Sequence, residues 1–428
     1  MADAATAGAI ARRPAAEKDE PTHFGGPFGA VAFTVLLPVL TMYLWLCIHE
    51  NGGALFFPSP EMLAKVPAPT VRGSVYFFGW LAFQAALDVL LPAKRVLGLA
   101  QRDGKKIEYR LNGFASLWVS LAVIVALGFS GVVTGADVLA ELGPMLSAAT
   151  LFAYGFSAFL YAYGFLSDRV EHRTGLFIYD FFMGSSLNPR IGRSFDLKLF
   201  FESKIGLTTW IAFDLAMAHA EYTREGAVSL PMLLVCAFQL WYVADFYWFE
   251  EAMLSTWDIN FENYGFMLAF GFIVWMPFTF SIQTQYLVSH APEIPVWAAV
   301  LIGLMNFAGY YVFRSSNLQK HHFRTDPNAR IWGKPPTFLQ TKRGTKLLTS
   351  GWWGLARHTN YFGDLTMALA WCLPCGFSHV AAYFYFIYFA PLLIDRERRD
   401  HRECAKKYGD DWKTYCEKVK YRIVPGLY

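Results

Sequence analysis

A phenol and three carboxyl groups lie near the end of an apolar stretch of the chain. Tyr242 lies inside this stretch, Glu250 and Glu251 follow it directly, and Asp258 comes shortly afterwards. Carboxyl groups crowded together in a medium of low dielectric keep their protons, because desolvation and like charge both raise their pKa values. These residues are therefore candidate proton donors. A solvated helix end, followed by the acidic start of the next segment, would have the same composition.

Two cations mark a second candidate site farther along the chain. Lys320 and Arg324 have the i, i+4 spacing that places two side chains on one face of a helix. Adjacent cations of this kind suit a phosphate or a pyrophosphate group. They equally suit an anchor that reaches lipid headgroups at the membrane surface. The adjacent side chains of His321 and His322 cannot point the same way, so we predict no metal site here.

Glycines, aromatic rings and polar groups are concentrated in residues 347–364. Glycines let a backbone approach closely, and Trp and Tyr offer flat faces to a ring system. Arg357, Asn360 and Asp364 add a cation, an amide and an acid. An interfacial aromatic belt does not need these three polar residues together, so we favour a ligand site. The tail at 395–428 adds more charged and aromatic side chains, which would also suit an amphipathic helix on the membrane surface.

The rest of the chain indicates what positions these residues. Of its 428 residues, 55% are hydrophobic and 17% are charged, whereas about 25% charged residues are usual in a soluble domain. Charge-free apolar runs of about 20 residues match the thickness of a bilayer, in which a helix must pair its own backbone polar groups. The sequence therefore predicts an all-α polytopic membrane protein with about ten transmembrane helices. The predicted spans are residues 27–48, 74–92, 114–133, 144–167, 199–219, 229–249, 265–288, 294–313, 362–377 and 379–394.

The distribution of Lys and Arg predicts the orientation of the chain. The loops at 93–113, 168–198 and 314–361 are basic, which places them and both termini in the cytoplasm. The loop at 250–264 should be cytoplasmic too, yet it carries only acids. We therefore expect a functional reason for its composition. The membrane would be a bacterial inner membrane or the endoplasmic reticulum.

We divide the chain into three parts. Residues 1–26 are expected to form a disordered cytoplasmic tail, and residues 27–228 to hold the first five helices. Residues 229–428 would form a catalytic membrane half, with helices six to ten, the loop at 314–361 and the C-terminal tail. This half is where we expect a water-soluble, phosphate-bearing cofactor and an apolar substrate from the lipid to bind. The net charge of +3 gives no reason to expect nucleic acid as a partner.

Three long motifs stand out in the sequence. The first is SGWWG, RH, NY and GD within residues 350–364. The second is FMG, LNPR and DLK within residues 182–198, and the third is the ending KYG, W, Y and YRIVP within residues 407–425. Together they resemble the motifs of the sterol reductases, the family that includes Δ14-sterol reductase, the lamin B receptor and 7-dehydrocholesterol reductase. The likeness extends from about residue 26 to the C-terminus.

This resemblance implies a ten-helix enzyme that reduces a sterol double bond with NADPH. It also implies which residues contact the cofactor. These are Lys320, Arg324, Leu348, Trp353, Asn360, Tyr361, Asp400, Cys404, Lys407, Tyr408 and Tyr415.

The chemistry that the resemblance implies is ionic. An acid protonates carbon 15 of the Δ14 alkene, which leaves a tertiary cation at carbon 14, and NADPH delivers hydride to that cation. Tyr242, Glu250 and Glu251 are our candidates for the acid relay. The lack of bases in the acidic loop then has a reason, because cations there would hold the acids deprotonated.

Other activities stay open at this point. Trp352, together with Glu250, Glu251 and Asp258, favours the Δ14 branch over the Δ7 branch, but Phe272 stands where family members usually carry an Asp. A Δ7-sterol reductase is the first alternative. A membrane methyltransferase similar to the isoprenylcysteine carboxyl methyltransferases is the second, and a non-catalytic sterol-binding protein is the third.

Overall fold

The computed structural model describes residues 23–100, 104–166, 174–192 and 194–428. Most of these residues are helical, as predicted. The α-helices are α1 (Gly26–His49), α2 (Pro60–Leu63), α3 (Val71–Leu90), α4 (Gly113–Ser130), α5 (Gly135–Leu166), α6 (Phe177–Met183), α7 (Leu197–Leu199), α8 (Thr208–Glu225), α9 (Leu230–Trp248), α10 (Trp257–Phe261), α11 (Phe266–Phe270), α12 (Met276–Phe280), α13 (Ile282–His290), α14 (Val296–Thr325), α15 (Trp352–Leu355), α16 (Thr359–Cys372), α17 (Phe384–Tyr408) and α18 (Asp410–Lys418). Most of the predicted tail at 1–26 lies outside the described residues.

Seven helical stretches of the described chain are long and apolar enough to cross a membrane. They are Gly26–His49, Val71–Leu90, Gly113–Ser130, Gly135–Leu166, Leu230–Trp248, Phe266–His290 and Val296–Thr325. The chain is thus a multi-pass helical protein by length and composition of its helices. The predicted spans at 199–219, 362–377 and 379–394 are also largely helical, and their place in the bilayer stays a prediction.

The fold is not purely α-helical, because short strands form three two-stranded antiparallel sheets in the described chain. The basic loop at 93–113 is a β-hairpin in which Lys94 pairs with Leu111 and Leu97 with Glu108. Residues 106–111 alternate charged and apolar side chains, which suits a half-exposed strand better than an open loop. The strands are β1 (Lys94–Ala100), β2 (Lys106–Leu111), β3 (Arg190–Ile191), β4 (Phe195–Asp196), β5 (Phe338–Gln340) and β6 (Lys346–Leu348).

The first of two compact units consists of Met1–Ala291 and His379–Ala382. Helix α8 packs against α4, α5, α9 and α13 of this unit. Trp210 Nε1 donates a hydrogen bond of 2.9 Å to Gln239 Oε1, and Gln239 Nε2 donates one of 3.3 Å to Gln283 Oε1. Buried polar groups need such partners, because an unpaired one costs free energy in an apolar interior.

Phe272, the departure from the family pattern, lies in a π-helical segment, Gly271–Trp275, between α11 and α12. Its side chain is buried, and its ring centroid lies 6.4 Å from that of Tyr264. An aromatic contact therefore occupies the position at which the resemblance would place an acid.

The second unit consists of Pro292–Ser378 and Tyr383–Tyr428. Its long helices α14 and α16 pack closely, and two glycines meet at their contact. A Cβ atom added to Gly363 would lie 2.5 Å from the backbone nitrogen of Phe313 and 2.7 Å from the carbonyl oxygen of Gly309. Only glycine allows the two backbones to come this close. Helix α17 packs against both α16 and α18.

Candidate active site

Glu250 is the buried acid among the predicted proton donors. It follows α9 in a 3-10 turn, Glu250–Ser255, and its side chain is 6% exposed. Its Oε2 accepts a hydrogen bond of 2.8 Å from the backbone N–H of Gly113, and its Oε1 lies 3.7 Å from Lys204 Nζ. Burial raises the pKa of Glu250, although the charge of Lys204 opposes this effect. A carboxyl group in this position can hold a proton.

Gly113 makes the close approach of Glu250 possible. A Cβ atom at this position would lie 2.6 Å from Glu250 Oε1 and 2.2 Å from the ring of Tyr247. Any side chain here would displace the carboxyl group from the start of α4. The N–H groups at a helix start favour negative charge, so this contact also allows Glu250 to release its proton.

Tyr242 lies in α9 two turns before Glu250, and its ring centroid lies 6.3 Å from that of Trp210 in α8. Eight residues of helix separate the two backbones by about 12 Å. Side chains on a helix lean towards its N-terminus, so Tyr242 leans away from Glu250. Proton transfer between the two residues therefore needs groups in between.

Glu251 and Asp258 occupy different surroundings from Glu250. Glu251 is exposed, and its carboxylate forms an ion pair with Lys94 of β1. Asp258 is half-buried in α10, and its backbone carbonyl oxygen accepts a hydrogen bond of 2.6 Å from Lys198 Nζ. Of the three carboxyl groups, Glu250 alone is buried.

The structure corrects one argument about the acidic loop. We expected its lack of bases to leave the acids without cations, but other elements supply them. Lys94 reaches Glu251 from β1, and Lys204 reaches Glu250 from the helical segment before α8. Neither ion pair could be predicted from the loop sequence, because both lysines lie in distant segments of the chain.

The motif at 182–198 fixes the acidic loop in place. The buried Lys198 donates hydrogen bonds to the carbonyl oxygens of Asp258, Ile259 and Glu262 at 2.6, 3.2 and 2.9 Å. Asp196 Oδ1 accepts a hydrogen bond of 2.9 Å from the backbone N–H of Leu199 and so caps the following helix. Burial lowers the pKa of Lys198 to about 8. These contacts assign the motif a positioning role.

The predicted cofactor residues lie in the second unit, where a first group forms around Trp353. Lys320 Nζ lies 4.4 Å from the centroid of the Trp353 ring, a cation–π distance. Trp353 Nε1 donates a hydrogen bond of 2.8 Å to the carbonyl oxygen of Ser316. Trp353 also packs with Leu348 and Ile331 in one buried cluster. Three predicted contacts, from α14, β6 and α15, thus lie together.

Strand β6 connects this group to a second one. Leu348 packs with Trp353, whereas its neighbour Leu347 packs in a cluster around Trp412 and Tyr415. Successive residues of a strand point to opposite faces, which explains how one strand serves both clusters. The second cluster also contains the predicted residues Cys404 and Tyr408.

A histidine of the longest motif connects two more predicted residues. His358 Nε2 lies 3.4 Å from Asp400 Oδ2, and the His358 ring stacks on Tyr361 with a centroid distance of 4.8 Å. Cys404 Sγ is 3.9 Å from the same Asp400 oxygen. The first turns of α16 and the second half of α17 therefore present their predicted residues to each other. The sequence alone indicates no separate role for His358, although it lies within the motif.

The side chains present fit a phosphorylated dinucleotide. Asn360 is 7% exposed, and its buried Oδ1 accepts no hydrogen bond from the residues that the structure describes. An unpaired buried acceptor is costly, and an amide N–H of a ligand would satisfy it. Lys320, Arg324 and Lys407 supply positive charge suited to phosphates. Tyr408 adds a half-buried phenol ring beside Lys407, and Trp353 adds a buried indole beside Lys320.

Comparisons with known proteins agree with this description. A profile of the ergosterol biosynthesis ERG4/ERG24 family matches residues 18–428. The Delta(14)-sterol reductase of Methylotuvimicrobium alcaliphilum is 45% identical over 410 residues, which cover 95% of this chain and 96% of the relative. A protein of the same name from Mus musculus is 43% identical over 95% of this chain and 98% of its own length. A third, from Dictyostelium discoideum, is 41% identical over 94% of this chain and 91% of its own length.

The resemblance noted from three sequence motifs is thus confirmed along nearly the whole chain, and the chain belongs to the ergosterol biosynthesis ERG4/ERG24 family.

Proposed function

We propose that this protein reduces the double bond between carbons 14 and 15 of a sterol, with NADPH as the reductant. The observation that supports this most directly is full-length similarity to several proteins named Delta(14)-sterol reductase. A second support is that the residues expected to bind the cofactor belong to one compact unit, which contains the groups around Trp353, Trp412 and His358.

The second unit would hold the cofactor. Lys320 and Arg324 bind phosphate groups, as i, i+4 cations on the last turns of α14. Asn360 orients an amide through its unpaired Oδ1. Leu348 and Trp353 exclude water from this side, since both are buried. The bound NADPH supplies a hydride, which the alkene needs together with one proton. The remaining predicted cofactor contacts belong to the same unit. They are Tyr361, Asp400, Cys404, Lys407, Tyr408 and Tyr415.

Acids of the first unit would hold and deliver the proton. Glu250 is the strongest candidate, because its burial favours the protonated form while Gly113 and Lys204 stabilise the anion that remains. Glu251, exposed at the surface, would take up a proton from solvent. Tyr242 and Asp258 complete the proposed relay. Protonation at carbon 15 places the positive charge on the more substituted carbon 14, which then accepts the hydride.

The substrate would enter from the lipid, since a sterol is apolar. We propose ten membrane spans with both termini in the cytoplasm, in a bacterial inner membrane or the endoplasmic reticulum. Residues 27–228 would be the scaffold of the first five spans, and residues 229–428 the catalytic half. The seven long apolar helices support the multi-pass part of this proposal.

A panel of sterols tests the proposed substrate. Detergent-purified protein is incubated with NADPH and with sterols that carry a single Δ14, Δ7 or Δ24 double bond, and the products are analysed by mass spectrometry. We expect a gain of two hydrogens in the Δ14 sterol only. Turnover of the Δ7 sterol alone would move the assignment to the other branch of the family.

A further inference from the structure

An exposed tryptophan adopts an unusual backbone conformation between α14 and β5. Trp332 has a φ of 50°, and Gly333 after it has a φ of 76°. Ile331 and Lys334 on either side exchange two backbone hydrogen bonds, of 2.8 and 3.1 Å. Two central residues with positive φ make this a type I′ turn, which strongly prefers Asn-Gly or Asp-Gly. A bulky residue at the first central position is strained.

The strain singles out this position. Among the described residues, Phe24 and Trp332 are the non-glycine residues with positive φ. Asparagine would form the same turn without the strain. Trp332 is 57% exposed, so burial of its ring does not offset the free energy of the strained backbone. Backbone strain of this kind is retained where a side chain must be presented in a fixed direction.

The surroundings of Trp332 indicate what it faces. Its ring lies edge-on to that of Trp352, with a centroid distance of 5.5 Å and an interplanar angle of 78°. Ile331, the preceding residue, is buried against Leu348 and Trp353, two of the proposed cofactor contacts. The turn is therefore fixed to the group that holds Lys320, and Trp332 itself remains more than half exposed.

Two exposed cations lie within two residues of Trp332 along the chain. Arg330 and Lys334 are both exposed, and Arg330 Nη1 donates a hydrogen bond of 3.3 Å to the carbonyl oxygen of Gly333. Neither residue has an ion-pair partner in the part of the chain that the structure describes. An exposed aromatic ring with two cations within two residues suits a ligand that carries both a ring and phosphate groups.

We propose that Trp332 is the stacking platform for the adenine base of the cofactor, with Arg330 and Lys334 beside its phosphates. This inference rests on the proposed use of NADPH and adds a base-binding subsite to it. A loop that dips into lipid headgroups would also carry Trp and cations. Such a loop does not need a strained turn, because an interfacial ring gains the same burial from any backbone conformation.

The test measures binding, so it does not depend on turnover. Full-length purified protein is titrated by calorimetry with NADPH, with adenosine 2′,5′-bisphosphate and with nicotinamide mononucleotide. The variants are Trp332→Asn, which creates the preferred Asn-Gly turn without the ring, and Trp332→Phe, which keeps a ring. The matched control is Trp297→Asn, a tryptophan near the start of α14 that is also more than half exposed.

We expect Trp332→Asn to weaken NADPH and the bisphosphate about tenfold, in line with the loss of one stacked base. Nicotinamide mononucleotide should bind unchanged, and Trp332→Phe should lose about threefold or less. The ligand-free Trp332→Asn protein should melt at the same or a higher temperature than the original, because the turn is relieved. This separates a lost contact from a damaged fold.

Several results would overturn the inference. The bisphosphate could bind Trp332→Asn as tightly as it binds the unaltered protein, or not bind the unaltered protein at all. Weaker binding of both halves of the cofactor would equally contradict a base-specific role. A further contradiction would be stronger quenching of tryptophan fluorescence by brominated lipid in the unaltered protein than in Trp332→Phe, if the bisphosphate leaves this difference unchanged. Absence of sterol reduction with intact Trp332-dependent binding would instead refute the proposed function and leave this subsite standing.

Discussion

The glycine contact between α14 and α16 leads to a quantitative prediction. In Gly363→Ala the new Cβ would lie 2.5 Å from the backbone nitrogen of Phe313, whereas ordinary contact begins at 3.4 Å. The two helices must separate by the difference, about 0.9 Å, since both facing atoms belong to backbone. Overpacking of this kind costs about 1–3 kcal/mol. Lys320 and Arg324 lie on α14 and Asn360 lies on α16. The substitution therefore also increases the distance between these predicted cofactor contacts.

The assay is thermal unfolding in detergent together with calorimetric titration of NADPH. We expect Gly363→Ala to melt several degrees lower and to bind NADPH about tenfold more weakly, since a displacement near 1 Å misaligns charged contacts. Gly303→Ala is the control on the same helix, because its Cβ would meet no atom within 4 Å. It should melt at the original temperature or slightly above it. Equal melting and equal binding in the two variants would refute the reasoning.

Three further predictions concern charge and proton transfer. Burial raises the pKa of Glu250, so the rate should fall as pH rises through that pKa and the donor loses its proton. Glu250→Gln should abolish this fall in rate at alkaline pH and lower kcat about a hundredfold. Glu225→Gln, at an exposed position, should retain the same pH dependence. An unchanged pH dependence in Glu250→Gln would exclude Glu250 as the proton donor. Tyr242→Phe should lower kcat about tenfold or more without changing NADPH affinity, and full activity would remove it from the relay. Replacing Lys320 and Arg324 together by Gln should weaken NADPH binding about 10- to 100-fold in calorimetry. Replacing Lys413, an exposed cation of α18, by Gln should leave binding unchanged. Unchanged NADPH affinity in the Lys320 and Arg324 double variant would contradict the phosphate contacts.

Long apolar helices were predictable because lipid leaves the backbone few alternatives. Spans such as 27–48 and 229–249 lie within a residue or two of α1 and α9. The hairpin of β1 and β2 was missed, because β2 alternates charged and apolar residues but β1 does not. The predicted span at 144–167 starts later than the helix, since α5 begins at Gly135 and contains Pro144.

Contacts between residues close in sequence could be predicted, whereas contacts between distant segments could not. The i, i+4 relation of Lys320 and Arg324 can be read directly from sequence, as can the dense motif at 350–364. The pairing of Glu250 with Lys204 joins distant segments, and a single sequence contains no distance information of that kind. Trp332 was missed for another reason. Its strain is a property of backbone dihedral angles, and a Trp-Gly pair carries no signal for a type I′ turn.

Isotope placement in the product tests the central claim most directly. The purified protein is supplied with a Δ14 sterol and NADPH deuterated at the transferable position, and separately with ordinary NADPH in deuterated water. We predict cofactor-derived deuterium at carbon 14 and solvent-derived deuterium at carbon 15, located by nuclear magnetic resonance of the product. Deuterium from the cofactor at carbon 15, or no saturated product in either experiment, would contradict protonation followed by hydride transfer.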